Sequence, residues 1–180
     1  MPFSVQDLRA QLGGGGARPN LFEVVMPFPS IAPPASAAQK LTFTCKGAQL
    51  PGGDIGTIEV PYFGRTVKVP GNRTFAEWTT TVINDEDFQV HNAIESWMDA
   101  INSHVANLRD PAAATSTGHT TNALIRHYGK DGSVIKEVEI VNAWPSSLAP
   151  IDLAWDSNDT LEEFTCTWQY DYWQVAGITS

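Results

Sequence analysis

The side chains with the widest chemical repertoire in this chain of 180 residues are four histidines and two cysteines. His91 and His104 fall at opposite ends of one helical stretch and cannot share a metal. His119 lies in a loop and His127 in an extended run, so each histidine is expected to serve packing or the surface. Cys45 and Cys166 stand 121 residues apart, a spacing that offers neither a metal motif nor a disulfide framework. Both fall on apolar, strand-like faces, and buried, inert thiols are expected. Glu162 and Glu163 are neighbours in an extended segment and point to opposite faces, which makes them a poor acid–base pair. Gly13–Gly16 follow no strand and precede no Lys-Ser or Lys-Thr, so they are not a phosphate loop. Asn72-Arg73-Thr74 and Asn158-Asp159-Thr160 match the glycosylation triplet, but Met1–Leu12 does not have the pattern of a signal peptide. No enzyme, no cofactor and no metal are expected.

Charge is more informative. There are 20 acids against 11 bases, for a net charge of −9, a balance that repels nucleic acid. The charge is also lopsided: residues 1–73 carry +3, residues 74–180 carry −12, and no base follows Lys136. A solvated acidic surface accounts for this, and so does a molecule with one basic and one acidic face that meets copies of itself. The length and the 42% hydrophobic content suit one globular domain. No run of 18 apolar residues occurs, so no membrane anchor is expected.

The elements that must position these residues follow from periodicity. Ser4 can cap a short helix to Leu12, with Val5, Leu8 and Leu12 on one side. The glycines then make a joint, so residues 1–16 are expected to dock on something other than their own core. Leu21–Met26 and Leu41–Cys45 look like strands, the second with Leu41, Phe43 and Cys45 on one face, and the proline-rich Phe28–Ala38 lies between them as a loop. Ile55–Val60 and Arg65–Val69 form a strand pair through Pro61–Gly64, and Phe75–Ile83 is β-rich. One main helix, Asp85–His104, carries an apolar stripe through Val90, Ile94, Trp97, Met98, Ile101 and Val105. Arg109–Thr120 is a loop. Asn122–Tyr128 and Val134–Val141 form a hairpin across Gly129–Gly132. Trp144–Ser147 is expected to break the chain, and Ile151, Leu153 and Trp155 to alternate in a short strand. Glu163–Trp173 alternates most cleanly, with Phe164, Cys166, Trp168, Tyr170 and Tyr172 on one face and Glu163 to Asp171 on the other. The sum is a mainly β, α+β chain: a small barrel or sandwich with one flanking helix.

One ordered set of short motifs runs through this framework. It comprises Ala17-Arg18-Pro19-Asn20-Leu21-Phe22-Glu23-Val24, Phe43-Thr44-Cys45, Leu50-Pro51-Gly52 and Arg73-Thr74-Phe75 with Trp78. It continues through Asn84-Asp85, Asp87-Phe88, Ile94-Glu95-Ser96-Trp97-Met98 and Ala143-Trp144-Pro145. Ile151, Leu153, Asp156-Ser157, Glu163-Phe164 and Gln169-Tyr170-Asp171-Tyr172-Trp173 complete it. In that order the set resembles the tail tube proteins of contractile-tailed, T4-like phages, over roughly residues 17–173. Gly13–Gly16 and the Ala112–Ala114 loop depart from the pattern. The resemblance implies a barrel domain over 17–180 that forms hexameric rings, with a continuous β-barrel as their inner wall, stacked into a hollow tube. The implied partners are further copies, the tail sheath, a tape-measure protein, baseplate and tail terminator proteins, and double-stranded DNA in transit without specific binding. The implied location is the virion, with assembly in the host cytoplasm. The same fold is shared by tubes of headless contractile injection particles, including type VI secretion and bacteriocin devices. From other classes, a monomeric small-ligand barrel and a hydrolase on a β-sandwich are the alternatives, and no residue set supports the hydrolase.

Sign and alternation nominate the working surfaces. Glu137, Glu139, Glu163 and Asp171 are candidate channel-lining acids, since a polyanion slides past a carboxylate wall without sticking. Arg9, Arg18, Lys40, Lys46, Arg65 and Lys68 are candidate basic contacts between subunits.

Overall fold

A computed structural model describes residues 4–12 and 15–175; Gly13 and Gly14 of the glycine joint lie outside the described residues. The helices are α1 (Val5–Gln11), α2 (Ser36–Thr44), α3 (Gln89–Ile101) and α4 (Ser116–His119). The strands are β1 (Phe22–Val25), β2 (Cys45–Ala48), β3 (Asp54–Tyr62), β4 (Arg65–Thr74) and β5 (Trp78–Ile83), then β6 (Thr121–Tyr128), β7 (Val134–Leu148), β8 (Glu163–Gln169) and β9 (Tyr172–Val175). The chain is mainly β, as the alternation implies.

Seven strands make one antiparallel sheet in the order β1-β6-β7-β8-β5-β2, with β9 also on β7. The sheet curls until its outer strands β1 and β2 approach each other. Long β7 is the hinge of this curl. Its first half lies between β6 and β9, and its second half pairs β8, for instance Trp144 with Gln169 and Leu148 with Cys166. Midway, Asn142 adopts φ 57, a left-handed conformation that Asn tolerates better than most residues. Val138 and Ile140 are buried before it, and Ala143 and Pro145 after it, so the face that β7 buries switches at this point. The opposite chain switches at the same level. Phe164, Cys166 and Trp168 are buried on β8, but beyond Asp171 it is Trp173 that packs on the core and Tyr172 that is exposed.

The core joins this sheet to α3 through tryptophans. Trp97 of α3 meets Trp168 in a tilted contact at 5.7 Å, and Trp168 in turn meets Trp78 at 6.2 Å. Each buried indole has a partner: Trp97 Nε1 donates to the His119 carbonyl, Trp168 Nε1 to Thr80 Oγ1 and Trp78 Nε1 to the Gln49 carbonyl. Val90, Ala93, Ile94 and Trp97 are buried at helical spacing, so α3 packs by one face as its period requires. The helix is shorter than expected. It starts at Gln89, where Asp85 Oδ1 accepts the backbone N–H, and Val105 beyond its end is exposed.

Four expectations need correction. Leu41–Cys45 is no strand: α2 occupies Ser36–Thr44, burying Ala37 and Leu41 while Phe43 is 81% exposed. The alanines at 35, 37 and 38 favour a helix, and the prolines merely precede it. A second helix therefore flanks the sheet. Trp144–Ser147 does not break the chain, since β7 runs through Pro145 with a register shift that absorbs the missing N–H. Ile151, Leu153 and Trp155 form no strand, because nothing pairs with them. Glu163–Trp173 is two strands divided at the switch.

β3 and β4 stand apart as a separate two-stranded ribbon. Its turn is Phe63-Gly64, with φ 43 and 77, the pair of positive angles that a tight two-residue hairpin turn demands.

Candidate assembly and channel surfaces

The histidines are held in separate places. His91 lies edge-on between Phe88 and Phe164. His104 Nδ1 is 2.9 Å from Asp99, and His127 Nε2 is 2.8 Å from the Arg18 carbonyl. His119 Nδ1 faces the carbonyls of Ala113 and Thr115, so that nitrogen carries the proton. Burial pushes the Cys45 thiol up to about 11 and the Cys166 thiol further, which suppresses the reactive thiolate. Among the described residues no three His, Cys, Asp or Glu side chains are grouped to hold a metal. No helix among them is long and apolar enough to cross a membrane.

A group of charged side chains lies instead on the outer face of β1, β6 and β7. Alternation sends Val24, Ile125, Val138 and Ile140 inward, which leaves Glu23, Arg126, Glu137 and Glu139 outside. Arg126 Nε donates to Glu137 at 2.7 Å, and its Nη1 lies 3.6 Å from Glu23. The Glu137 carboxylate raises the guanidinium pKa, chiefly through that hydrogen bond. Tyr128 donates its hydroxyl to Glu23, which holds the phenol above its usual range. Glu139 accepts from Asn122 and from Gln174 of β9. Asn122 in turn accepts the backbone N–H of Asn142, whose side chain donates to Asp171. One hydrogen-bonded belt thus links Glu139 to Asp171, and Glu137 lies beside it under Arg126.

Three of the four nominated acids are therefore brought to this face. Glu163 is not among them. It sits on β8, beside the threonine-rich surface of Thr165 and Thr167, and bonds Lys46 at 2.5 Å. The nominated bases also divide. Lys40 pairs with Asp85 and Asp87, Lys46 with Glu163 and Lys68 with Glu59, all inside the chain. Arg9, Arg18 and Arg65 have no ion pair among the described residues. Sequence reasoning missed Glu23, Arg126 and Asn142. The alternation of β1 and β6 marks the first two as outward, but their convergence on Glu137 depends on a register that no local pattern reveals.

Apolar side chains stand uncovered at several places, among them the following three segments. α1 buries no residue, although Val5 and Leu8 share a side. The β3–β4 ribbon is exposed throughout, apart from Gly71. Residues 152–161, between β7 and β8, expose Leu153, Trp155 and Leu161.

Residues 17–176 match the family model for phage tail tube protein. The chain belongs to the phage tail tube protein family. It is 34% identical over 167 residues to tail tube protein gp19 of Enterobacteria phage T4, covering 92% of this chain and 96% of that protein. In fold, the chain resembles a chain in the structure of the anti-feeding prophage cap, with a TM-score of 0.61 at 19% identity over 88% of this chain and 89% of that one. It also resembles a chain in the sheath/tube terminator of an extracellular contractile injection system, with a TM-score of 0.58 at 17% identity over 97% and 96%. The resemblance read from the motifs of residues 17–173 is borne out.

Proposed function

We propose that the chain is a structural, non-catalytic subunit whose copies close into six-membered rings and stack into the hollow tube of a contractile phage tail, with a continuous β wall inside. The observation that carries this reading is the amphipathic β3–β4 ribbon, which one chain leaves wholly uncovered in a family of tube proteins. An isolated two-stranded ribbon is at best marginally stable in water, and a neighbouring copy supplies the missing cover. The bare α1, joined through glycines, suits a second contact of the same kind.

The acidic belt from Glu139 to Asp171 is the candidate channel wall. Each carboxylate would be repeated six times around a ring. DNA carries one negative charge per ~1.7 Å of duplex axis, so such rings would repel it and keep it moving. Glu137 contributes less, because Arg126 neutralises it. Sheath, baseplate, terminator and tape-measure proteins are the other expected partners, in the virion and, during assembly, in the host cytoplasm. Arg9, Arg18 and Arg65 are the bases left for contacts between subunits, and assembly is expected to slow at high salt.

Negative-stain microscopy of concentrated protein tests the reading. Rings or hollow rods with sixfold symmetry are expected. A monomer at every concentration would overturn it and favour a small-ligand barrel.

A further inference from the structure

Two of the uncovered surfaces are opposite in sign. On the β3–β4 ribbon the register pairs Ile58 with Val69 and Val60 with Val67. These four side chains share one face, with Tyr62 next along, and the other face holds the Glu59–Lys68 ion pair. The ribbon spans Asp54 to Thr74 and carries three bases against two acids. With Glu59 taken by Lys68, Arg65 is left beside the turn, next to the exposed Phe63.

The segment 152–161 is the counterpart. Leu153, Trp155 and Leu161 are 83%, 103% and 73% exposed. Asp152, Asp156 and Asp159 lie among them with no base, and none of the three has an ion pair among the described residues. A fully exposed tryptophan flanked by leucines and carboxylates has the composition of an interface anchor with a charged rim. The third bare surface, α1, carries Asp7 and Arg9. It is neutral and offers no sign to match.

We propose that segment 152–161 of one copy packs on the apolar face of the β3–β4 ribbon of a neighbouring copy. Trp155 and Leu153 cover the Ile58–Val69 and Val60–Val67 pairs, and the aspartates lie alongside Arg65, which the register places opposite Tyr62 on that same face. The pairing rests on the tube reading for the existence of neighbours and goes beyond it by naming the two faces that meet. Because the faces differ, the contact is head-to-tail. Every subunit offers one of each, which propagates a ring or a stack and does not stop at a dimer. A ribbon whose longer strand has ten residues extends roughly 30 Å at ~3.3 Å per residue, enough to reach beyond its own subunit. The opposite charges fix register and reject wrong partners more than they add affinity.

Paired cysteines test the contact in assembled tubes. Tyr62→Cys and Leu153→Cys are placed in one chain, and the tubes are oxidised with copper-phenanthroline and run on a non-reducing denaturing gel. The native thiols supply little background, since burial holds Cys45 at about 11 and Cys166 higher still. A ladder of linked subunits is expected from the double variant and none from either single one. Charge reversal provides a second measurement that needs no introduced thiol. Arg65→Glu alone and Asp156→Arg alone should each slow assembly roughly tenfold, and the two together should recover most of that loss. Intact tubes with neither cross-link nor recovery would overturn the pairing and leave the tube reading standing. Wild-type protein that forms no rings or rods would sink that reading itself. A cross-link from Leu153→Cys to co-assembled sheath protein would assign the segment to the sheath and also overturn the pairing.

Discussion

The side-chain amide of Asn142 bonds the carboxylate of Asp171 at the level where both strands change the face they bury. Asn142 holds its positive φ there, and its backbone N–H is bonded to Asn122. A β-branched residue pays a steric cost of about 1–2 kcal/mol in that conformation. Asn142→Val should therefore lower stability in chemical denaturation by at least that amount, whereas Asn142→Gly should cost less. Equal losses would mean that the conformation is not the constraint.

Trp97 carries the second prediction. It is buried between Phe28 and Trp168, and its indole N–H is used by the His119 carbonyl. Trp97→Ala should cost about 3–5 kcal/mol, the usual range for deleting a buried large aromatic. Trp97→Phe keeps part of the packing but leaves that carbonyl unpaired, and its loss should fall between wild type and alanine. A melting midpoint unchanged in the alanine variant would remove Trp97 from the core.

These two sites also mark how far the residues alone could carry the fold. The stripe of α3 and the alternation of Phe164, Cys166 and Trp168 were legible, because each repeats at the period of its own element. The switch at Asn142 and Asp171 was not. It arises where one strand passes from one set of neighbours to another, and plain alternation continued past it places Tyr172 inside. Leu41, Phe43 and Cys45 mislead for a related reason: three apolar residues at alternate positions mimic a strand, though Leu41 is buried, Cys45 half-buried and Phe43 exposed. The same limit applies to the surfaces. Sign and spacing brought out Glu137, Glu139 and Asp171, but not Arg126, which neutralises the first of them from another strand.

Acid should weaken the fold through two exposed turns. The backbone N–H of His104, followed by its ring, bonds Asp99 and holds that carboxyl below the ordinary 3.8. The Ser133 hydroxyl and then its N–H do the same for Asp131 in the β6–β7 turn. A carboxyl depressed in the folded state contributes stability above its unfolded pKa and loses it as pH falls through the folded value. The loss should begin near pH 3.8 and deepen below it. Both groups are fully solvated, so the effect is small. Carboxyl titration by NMR should give midpoints below 3.8 for both, and Asp99→Asn should flatten the acid limb of stability. A midpoint at or above the ordinary value would show that these hydrogen bonds do not persist in solution.

The proposed channel wall yields the last prediction. Glu139 and Asp171 belong to one hydrogen-bonded belt, while Arg126 lies over Glu137 and Lys46 over Glu163. If this belt lines the tube, the two unneutralised acids dominate the potential that DNA meets, because each recurs around the ring and salt screens them only over about 10 Å. Reversing them to Lys would turn a repelling wall into a binding one, since each phosphate contact adds affinity through released counterions. Glu139→Lys with Asp171→Lys should leave tubes visible by microscopy but slow DNA ejection in an infection assay, more strongly at low salt. Glu163→Lys should have less effect on ejection and instead loosen the local contact with Lys46. Normal ejection with both belt acids reversed would place this face away from the DNA. A larger defect from Glu163→Lys, with tubes intact, would move the channel wall to the threonine-rich face of β5 and β8.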